Sequence, residues 1–330
     1  MAGIGLAQHG FRVEIHEKEA DVGLRHHNDF QGLENWSQEV DVLQTMRSLG
    51  LDTDFFARPF NEGLLYLPSL RPVRVRSPHT MFYLIKRGPE RDTLDSSLKH
   101  QALDAGVHIH FNSSRATDAH IMATGPPRAN IVAAGINFET GVGDQAKGIL
   151  SDDLAPKGYA YFLVAEGKAT LATVLFRDFH KASTCLRESV KAFQSVVPFD
   201  MKNPRRFGGR GYFAYPRSGV KDGRLYVGEA AGFQDFLFGF GTRHALLSGY
   251  AAAQSIVSGM DYDALWKKAF GRYMTNAVVN RFLFERFTQT AHHILSLALG
   301  LTENPGWYMR FLYGSPIHRC IWPLLPPKTF

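Results

Sequence analysis

Apolar and polar positions change period many times along this chain, and each change marks an element. Residues 2–7 have helical spacing, Gly10 stops them, and residues 12–16 (RVEIH) alternate as a strand ending at Glu17. Residues 18–31 are polar, contain Gly23 and the pair His26-His27, and read as a loop. Ser37 ahead of the periodic residues 39–49 predicts an N-capped helix closed by Gly50. Residues 64–67, 72–76 and 81–86 read as strands, with Pro68, Pro72 and Pro78 marking turns. An amphipathic helix is expected over 94–105, ended by Gly106, and strands over 107–111 and 119–123. Residues 158–179 read as a hairpin around Glu166-Gly167-Lys168, and 183–196 as a helix. Alternating aromatics predict a strand within 208–216 (GGRGYFAYP). Residues 262–287 are helical, with Trp266, Phe270, Tyr273, Val278, Phe282 and Phe287 on a broad apolar face. Residues 290–313 give a helix or pair interrupted by Pro305, and the proline-rich tail is expected to lie extended. No internal repeat or low-complexity segment is present.

The stretch 225–257 (LYVGEAAGFQDFLFGFGTRHALLSGYAAAQSIV) is the richest in chemistry. It predicts a short strand, a glycine loop, and a helix starting near Gly241-Thr242. Gly228, Gly232, Gly239 and Gly241 let a backbone approach a ligand with no Cβ between them. Ala245, Gly249, Ala252, Ala253 and Ile256 form a small-residue stripe for tight packing. The free N–H groups at the helix start face the loop, where an electron-rich ring edge or an anionic oxygen is stabilised.

This stretch resembles the second flavin-binding motif of the p-hydroxybenzoate-hydroxylase-type flavoproteins, above all their geranylgeranyl reductase branch. That motif is a strand, G-D-A-A-G-F, G-x-G, and a helix carrying A-L-x-S-G-x-x-A-A. The match is gapless at Gly228, Ala230, Ala231, Gly232, Phe233, Gly239, Gly241, Ala245, Leu246, Ser248, Gly249, Ala252 and Ala253. Glu229 replaces the aspartate that meets ribityl hydroxyls, and Phe236 replaces a proline near the flavin. The resemblance extends over nearly the whole chain. It implies an α/β fold: a discontinuous Rossmann-type FAD-binding domain (1–60, 87–135, 218–260), an antiparallel substrate domain (61–86, 136–217) and a C-terminal helical region (261–330).

The resemblance also assigns sites. Glu17, with Lys18 beside it, stands at the end of the second strand, where dinucleotide-binding folds place the acid that takes the ribose hydroxyls. Arg87 follows a strand and precedes a helix, as does an arginine lying close to the FAD in the family. Thr124-Gly125 resembles a turn whose backbone passes near the FAD. Gly228, Glu229, Gly232, Gly239, Phe240, Gly241 and Thr242 complete the cofactor set. Tyr212, Tyr215 and Phe236 are the substrate candidates, although the tryptophan of the family's aromatic motif is missing.

The implied activity is that of an FAD-dependent oxidoreductase. Reduced flavin passes hydride to a carbon–carbon double bond of an apolar, isoprenoid-like substrate, with NADPH, NADH or ferredoxin as candidate electron donor. Two alternatives stand beside it. One is an FAD-dependent monooxygenase of an aromatic or polyketide-like compound, against which the missing Asp-Gly at 124–125 counts. The other is a non-catalytic fragment. No nucleophile or acid–base constellation is evident, so no side chain is assigned as catalytic. No metal site is expected either, because adjacent histidines such as His26-His27 point apart.

Composition narrows this reading only a little. The chain of 330 residues is 45% hydrophobic and 21% charged, ordinary for a globular protein of two or three substructures. A net charge of +6 without a lysine–arginine block suits an acidic cofactor or an anionic membrane surface better than nucleic acid. Cys185 and Cys320 have no ligand spacing and predict no disulfide, as in a reducing compartment. No signal-peptide pattern is visible, and the longest apolar run, 294–301, is too short to span a bilayer. The expected location is cytoplasmic, with peripheral membrane contact open, and the oligomeric state is undetermined. One element of the family pattern is absent: no strand and G-x-G-x-x-G loop precede residue 1. The expectation is therefore a chain lacking about 15–20 N-terminal residues of that unit, with residues 12–16 bordering a gap or sheet edge and FAD bound poorly.

Overall fold

The computed structural model describes residues 1–325 apart from 69, 116, 117, 289, 291, 293, 295, 296 and 299–304. A seven-stranded sheet forms its centre, in the order 202–211, 131–139, 168–175, 159–165, 145–149, 62–66, 72–76. Its pairings are antiparallel except between Gln145–Ile149 and Glu62–Tyr66. Its middle holds the hairpin Tyr159–Ala165 with Lys168–Leu175. Glu166 and Gly167 both have positive φ (51° and 72°), which matches a two-residue turn to the strand twist and sets the pair Ala165 with Lys168.

The strands of this hairpin are buried on both faces. Phe162, Val164 and Leu171 pack under the helix Ala182–Val196 through Leu186 and Phe193. Leu163 and Ala165 face the other way, onto Phe30, Phe60 and Leu84. These last belong to an antiparallel sheet of Phe30–Glu34, Phe82–Lys86 and Ala57–Phe60. Thr170, buried between the layers, accepts a hydrogen bond from the Phe30 amide (2.8 Å).

Outside the seven-stranded sheet, the parallel strands come as two separate pairs. Glu14–His16 pairs with His108–His110, and Ile121–Met122 pairs with Arg224–Tyr226. Each pair keeps an open edge on the Glu14–His16 and Ile121–Met122 sides, and no described strand joins them into one sheet. The expected edge at residues 12–16 is therefore present, although the side chains of Val13 and Ile15 are packed against a core cluster. The small-residue stripe of Thr242–Ser258 does pack tightly. A Cβ on Gly249 would lie 3.2 Å from the Met1 Cβ, and one on Gly5 would lie 3.1 Å from that of Ala253. The helix Ala2–Gln8 is thus held against it.

Several elements differ from expectation. The helix after Gln31 spans Val42–Ser48 and is capped by Asp41, which accepts from the Leu43 and Gln44 amides. Ser37 instead donates to Glu34 (2.8 Å). The strands Phe30–Glu34 and Ala57–Phe60 fall where alternation is broken by Gly32 and Pro59. The strand near 208–216 is Lys202–Gly211, and Tyr212 to Pro216 lie beyond it as irregular chain. Ile131–Glu139 runs through the expected domain boundary at 135/136. The helical stretch after Tyr262 is continuous through a π-turn at Lys267–Gly271 to Arg286, but Phe287 is exposed rather than part of its apolar face. Pro305 begins the helix Pro305–Gly314, and the tail expectation lies largely outside the described residues. Among the described residues no helix is long and apolar enough to cross a membrane.

Candidate functional site

The C-terminal ends of the parallel strands deliver their loops to one place. Glu14–His16 leads into the loop around Arg25, Ile121–Met122 into Thr124-Gly125, and Arg224–Tyr226 into Gly228-Glu229. Arg25 ties them together: its guanidinium meets Glu229 at 3.2 Å, and a Cβ on Gly125 (φ 77°) would stand 3.6 Å from its Nη1. Crevices at the carboxyl ends of parallel strands are where open α/β sheets bind ligands.

Behind this junction lies a buried ionic cluster. Arg87 donates through Nε and Nη2 to the two carboxylate oxygens of Asp95, both at 2.8 Å, and through Nη1 to Gln31 (3.2 Å). Burial alone pushes the Asp95 carboxyl up. The charge of Arg87 and its paired hydrogen bonds, with a further bond from the Gly88 amide, more than reverse this and hold it at about 2. Asp29 and Glu229 add to the negative field around Arg87. Asp29 also accepts from Gln31 (2.7 Å) and the His27 amide (3.1 Å), and faces His26 at 3.5 Å. The histidine pair thus serves a carboxylate.

An aromatic chamber adjoins the cluster. Trp36 meets Phe240 edge-on (5.1 Å between ring centres) and Phe238 (6.4 Å), and Phe238 meets Tyr159 (6.0 Å). Tyr161 lies beside Tyr159 with its ring tilted (6.2 Å between centres). A Cβ on Gly32 would press on the Phe240 ring at 3.1 Å. Glu34 holds the Trp36 turn, accepting from the Trp36 and Ser37 amides, and it forms a buried ion pair with Arg243 at 3.4 Å. Next to it Asp235 accepts from the Phe238 amide and from the Tyr313 hydroxyl (2.9 Å). Burial outweighs these hydrogen bonds and pushes Asp235 up to about 6. Burial likewise lowers His244 to about 4.

The predicted residues fall in different places. Glu17, Thr124, Gly125, Gly228 and Glu229 lie at the strand ends that feed the junction, and Arg87 lies just behind it. Lys18 is exposed and paired with Glu19 (3.4 Å). The other loop glycines are needed by the protein's own packing. A Cβ on Gly232 (φ 83°) would fall 2.7 Å from the Ala214 nitrogen, and on Gly239 3.0 Å from Ile131. On Gly241 it would meet Gln234 at 3.2 Å. Phe240 and Thr242 line a small internal cavity with Trp36 and Glu34. Phe236 is fully buried and packed on Phe213 (4.6 Å), so this substrate candidate is a core residue. Tyr215 packs on Trp322 and Trp266, and Tyr212 lies under Arg128. The chamber residues Trp36, Tyr159, Tyr161 and Phe238 were not singled out in the sequence, because they come from three unconnected segments. The only local signal was the aromatic density of FLFGF in the glycine loop.

No protein-family model matches the chain, and no curated protein sequence matches it. Solved structures do. A geranylgeranyl bacteriochlorophyll reductase-like protein from Thermoplasma acidophilum superposes with a TM-score of 0.72 at 16% identity, covering 98% of this chain and 96% of that one. A flavin-dependent brominase gives 0.64 at 14% identity, covering 95% and 90%. A flavoprotein/dehydrogenase from Cytophaga hutchinsonii gives 0.58 at 14% identity, covering 95% and 89%. The chain has the mixed α/β fold that these proteins share, in agreement with the resemblance carried by the 225–257 motif.

Proposed function

We propose that this protein is a flavin-dependent oxidoreductase whose cofactor lies at the loop junction and whose substrate is apolar. The observation that carries the reading is the convergence of Gly125, Glu229 and the Arg25 loop at the ends of the parallel strands, beside an aromatic chamber. The residues suit part of an FAD. Glu229 offers an acceptor for ribityl hydroxyls, Gly125 permits close backbone approach, and Glu17 stands at the ribose end of the first pair. On this reading the two parallel pairs are parts of a Rossmann-type layer, and the seven-stranded sheet is the substrate layer.

Bound reduced flavin supplies hydride. The chain's own residues do the rest: Trp36, Phe238, Phe240, Tyr159 and Tyr161 exclude water and orient an apolar chain. Asp235, at about 6, is the buried group able to hold a proton near neutral pH. A carbon–carbon double bond of isoprenoid type is the substrate class that suits such a chamber.

The test is anaerobic. The protein is loaded with FAD, reduced chemically, and mixed with a prenyl diphosphate. Reoxidation of the flavin without oxygen, with a more saturated product, supports the reading. Reoxidation only when oxygen is admitted, with a hydroxylated product, replaces it with a monooxygenase.

A further inference from the structure

The polar face of the first parallel pair carries a feature that the flavin reading does not use. Glu14–His16 and His108–His110 run parallel in the register Glu14 with His108 and His16 with His110. Residues two apart on a strand share a face. Val13 and Ile15 turn inward to the core, so Glu14, His16, His108 and His110 turn outward together.

Three of these four converge. One ligand atom from each of Glu14, His16 and His110 lies within 4.8 Å of the others. The His16 and His110 rings stack with centres 4.8 Å apart and planes 11° apart. The Glu14 Oε2 faces His110 Nε2 at 3.6 Å, while Oε1 is held by Arg12 at 3.1 Å. Donors around a tetrahedral ion with bonds of about 2.1 Å stand roughly 3.4 Å apart. The half-exposed side chains therefore need to close by little more than an ångström.

A supporting shell is in place. His16 Nδ1 lies 2.9 Å from the Ser113 hydroxyl. Ser113 is itself fixed, because its amide donates to the Glu17 carbonyl (2.9 Å) and the neighbouring Asn112 amide donates to that of Glu19 (3.0 Å). An Nδ1–H donated to Ser113 leaves the Nε2 lone pair of His16 free for an ion, the usual way a metal-bound imidazole is oriented. Two imidazoles and one carboxylate select a borderline first-row ion over magnesium or calcium.

We infer that Glu14, His16 and His110 form a binding site for a divalent zinc-type cation, which clamps the two parallel strands on the face away from the core. The sequence did not show it, because the two histidines are 94 positions apart and only the strand pairing brings them together.

The probe is Zn2+ titrated into the purified 330-residue protein by calorimetry, with Co2+ as a spectroscopic substitute. The expected result is one site tighter than any other, with a melting temperature that rises with Zn2+ concentration. His16→Ala and His110→Ala should each weaken this site at least 100-fold and abolish the thermal shift. Glu14→Gln should weaken it less, and Ser113→Ala by about 10- to 100-fold. These side chains lie on the outward face, so circular dichroism of the metal-free variants should match the parent. No saturable binding at 100 µM Zn2+, or tight binding unchanged in both histidine variants, overturns the site. An unchanged affinity in Ser113→Ala overturns the role given to the supporting shell.

Discussion

Asp95, largely buried, and Asp235, fully buried, are aspartates near the same proposed site, and they behave in opposite ways. Asp95 sits in the ionic cluster against Arg87 and is held at about 2. Asp235 sits beside the aromatic chamber, accepts only neutral hydrogen bonds and is pushed up to about 6. Burial acts upward on both, and at Asp95 the paired guanidinium of Arg87 overturns it. One region is built to keep charge and the other to refuse it. That division suits a site where a polar cofactor end meets an apolar substrate.

The sharpest way to break this contrast is to remove the guanidinium. Arg87→Met leaves Asp95 buried without a cation and should cost about 3–5 kcal/mol in urea unfolding. Adding Asp95→Leu should restore most of that loss. A small effect of the single change would mean that the cluster is solvated.

The two aspartates should also give opposite pH arms. Asp235 is raised from 3.8 to about 6, so its contribution, about 3 kcal/mol, is present at low pH and lost as pH rises through about 6. Asp95 is lowered from 3.8 to about 2, so its contribution, about 2 kcal/mol, is present above pH 4 and lost as pH falls towards 2. Unfolding curves from pH 2 to 7 should show both arms, and Arg87→Met should erase the acid one. A flat profile would contradict both assignments.

A smaller effect separates backbone strain from packing in the glycine loop. Gly232 and Gly106 share a φ of 83°, but an added Cβ meets Ala214 at the first and nothing within 4 Å at the second. Gly106→Ala should cost about 1 kcal/mol from strain alone. Gly232→Ala should cost about 1–3 kcal/mol more, read from the denaturation midpoints. Equal costs would show that Ala214 yields freely.

The same contrast explains what could be read from the sequence. Local signals were legible: the hairpin turn at Glu166-Gly167, the helix start at Thr242, and the small-residue stripe that packs on the first helix. Motif residues at strand ends, such as Gly125 and Glu229, were legible because their spacing is local too. What failed depends on distant partners. Phe236 looked like a pocket residue until Phe213 covered it. Asp41 displaced Ser37 as helix cap because Asn35 and Tyr83 hold its carboxylate from either side. Arg87 was placed near the site, but its bidentate partner Asp95 is the second residue of the helix Leu94–Asp104, and nothing in the intervening residues points to it. The chamber is assembled from residues 36, 159, 161 and 238, which no single periodicity connects.

The central claim is that the junction of Gly125, Glu229 and the Arg25 loop holds flavin. Titration of FAD into the 330-residue protein, followed by flavin fluorescence and the visible spectrum, tests it most directly. Saturable binding of one FAD per chain is the expected result. Glu229→Ala and Gly125→Val should each weaken it about tenfold or more while the fold persists. The absence of saturable binding would contradict the claim, and binding indifferent to both substitutions would place the flavin elsewhere.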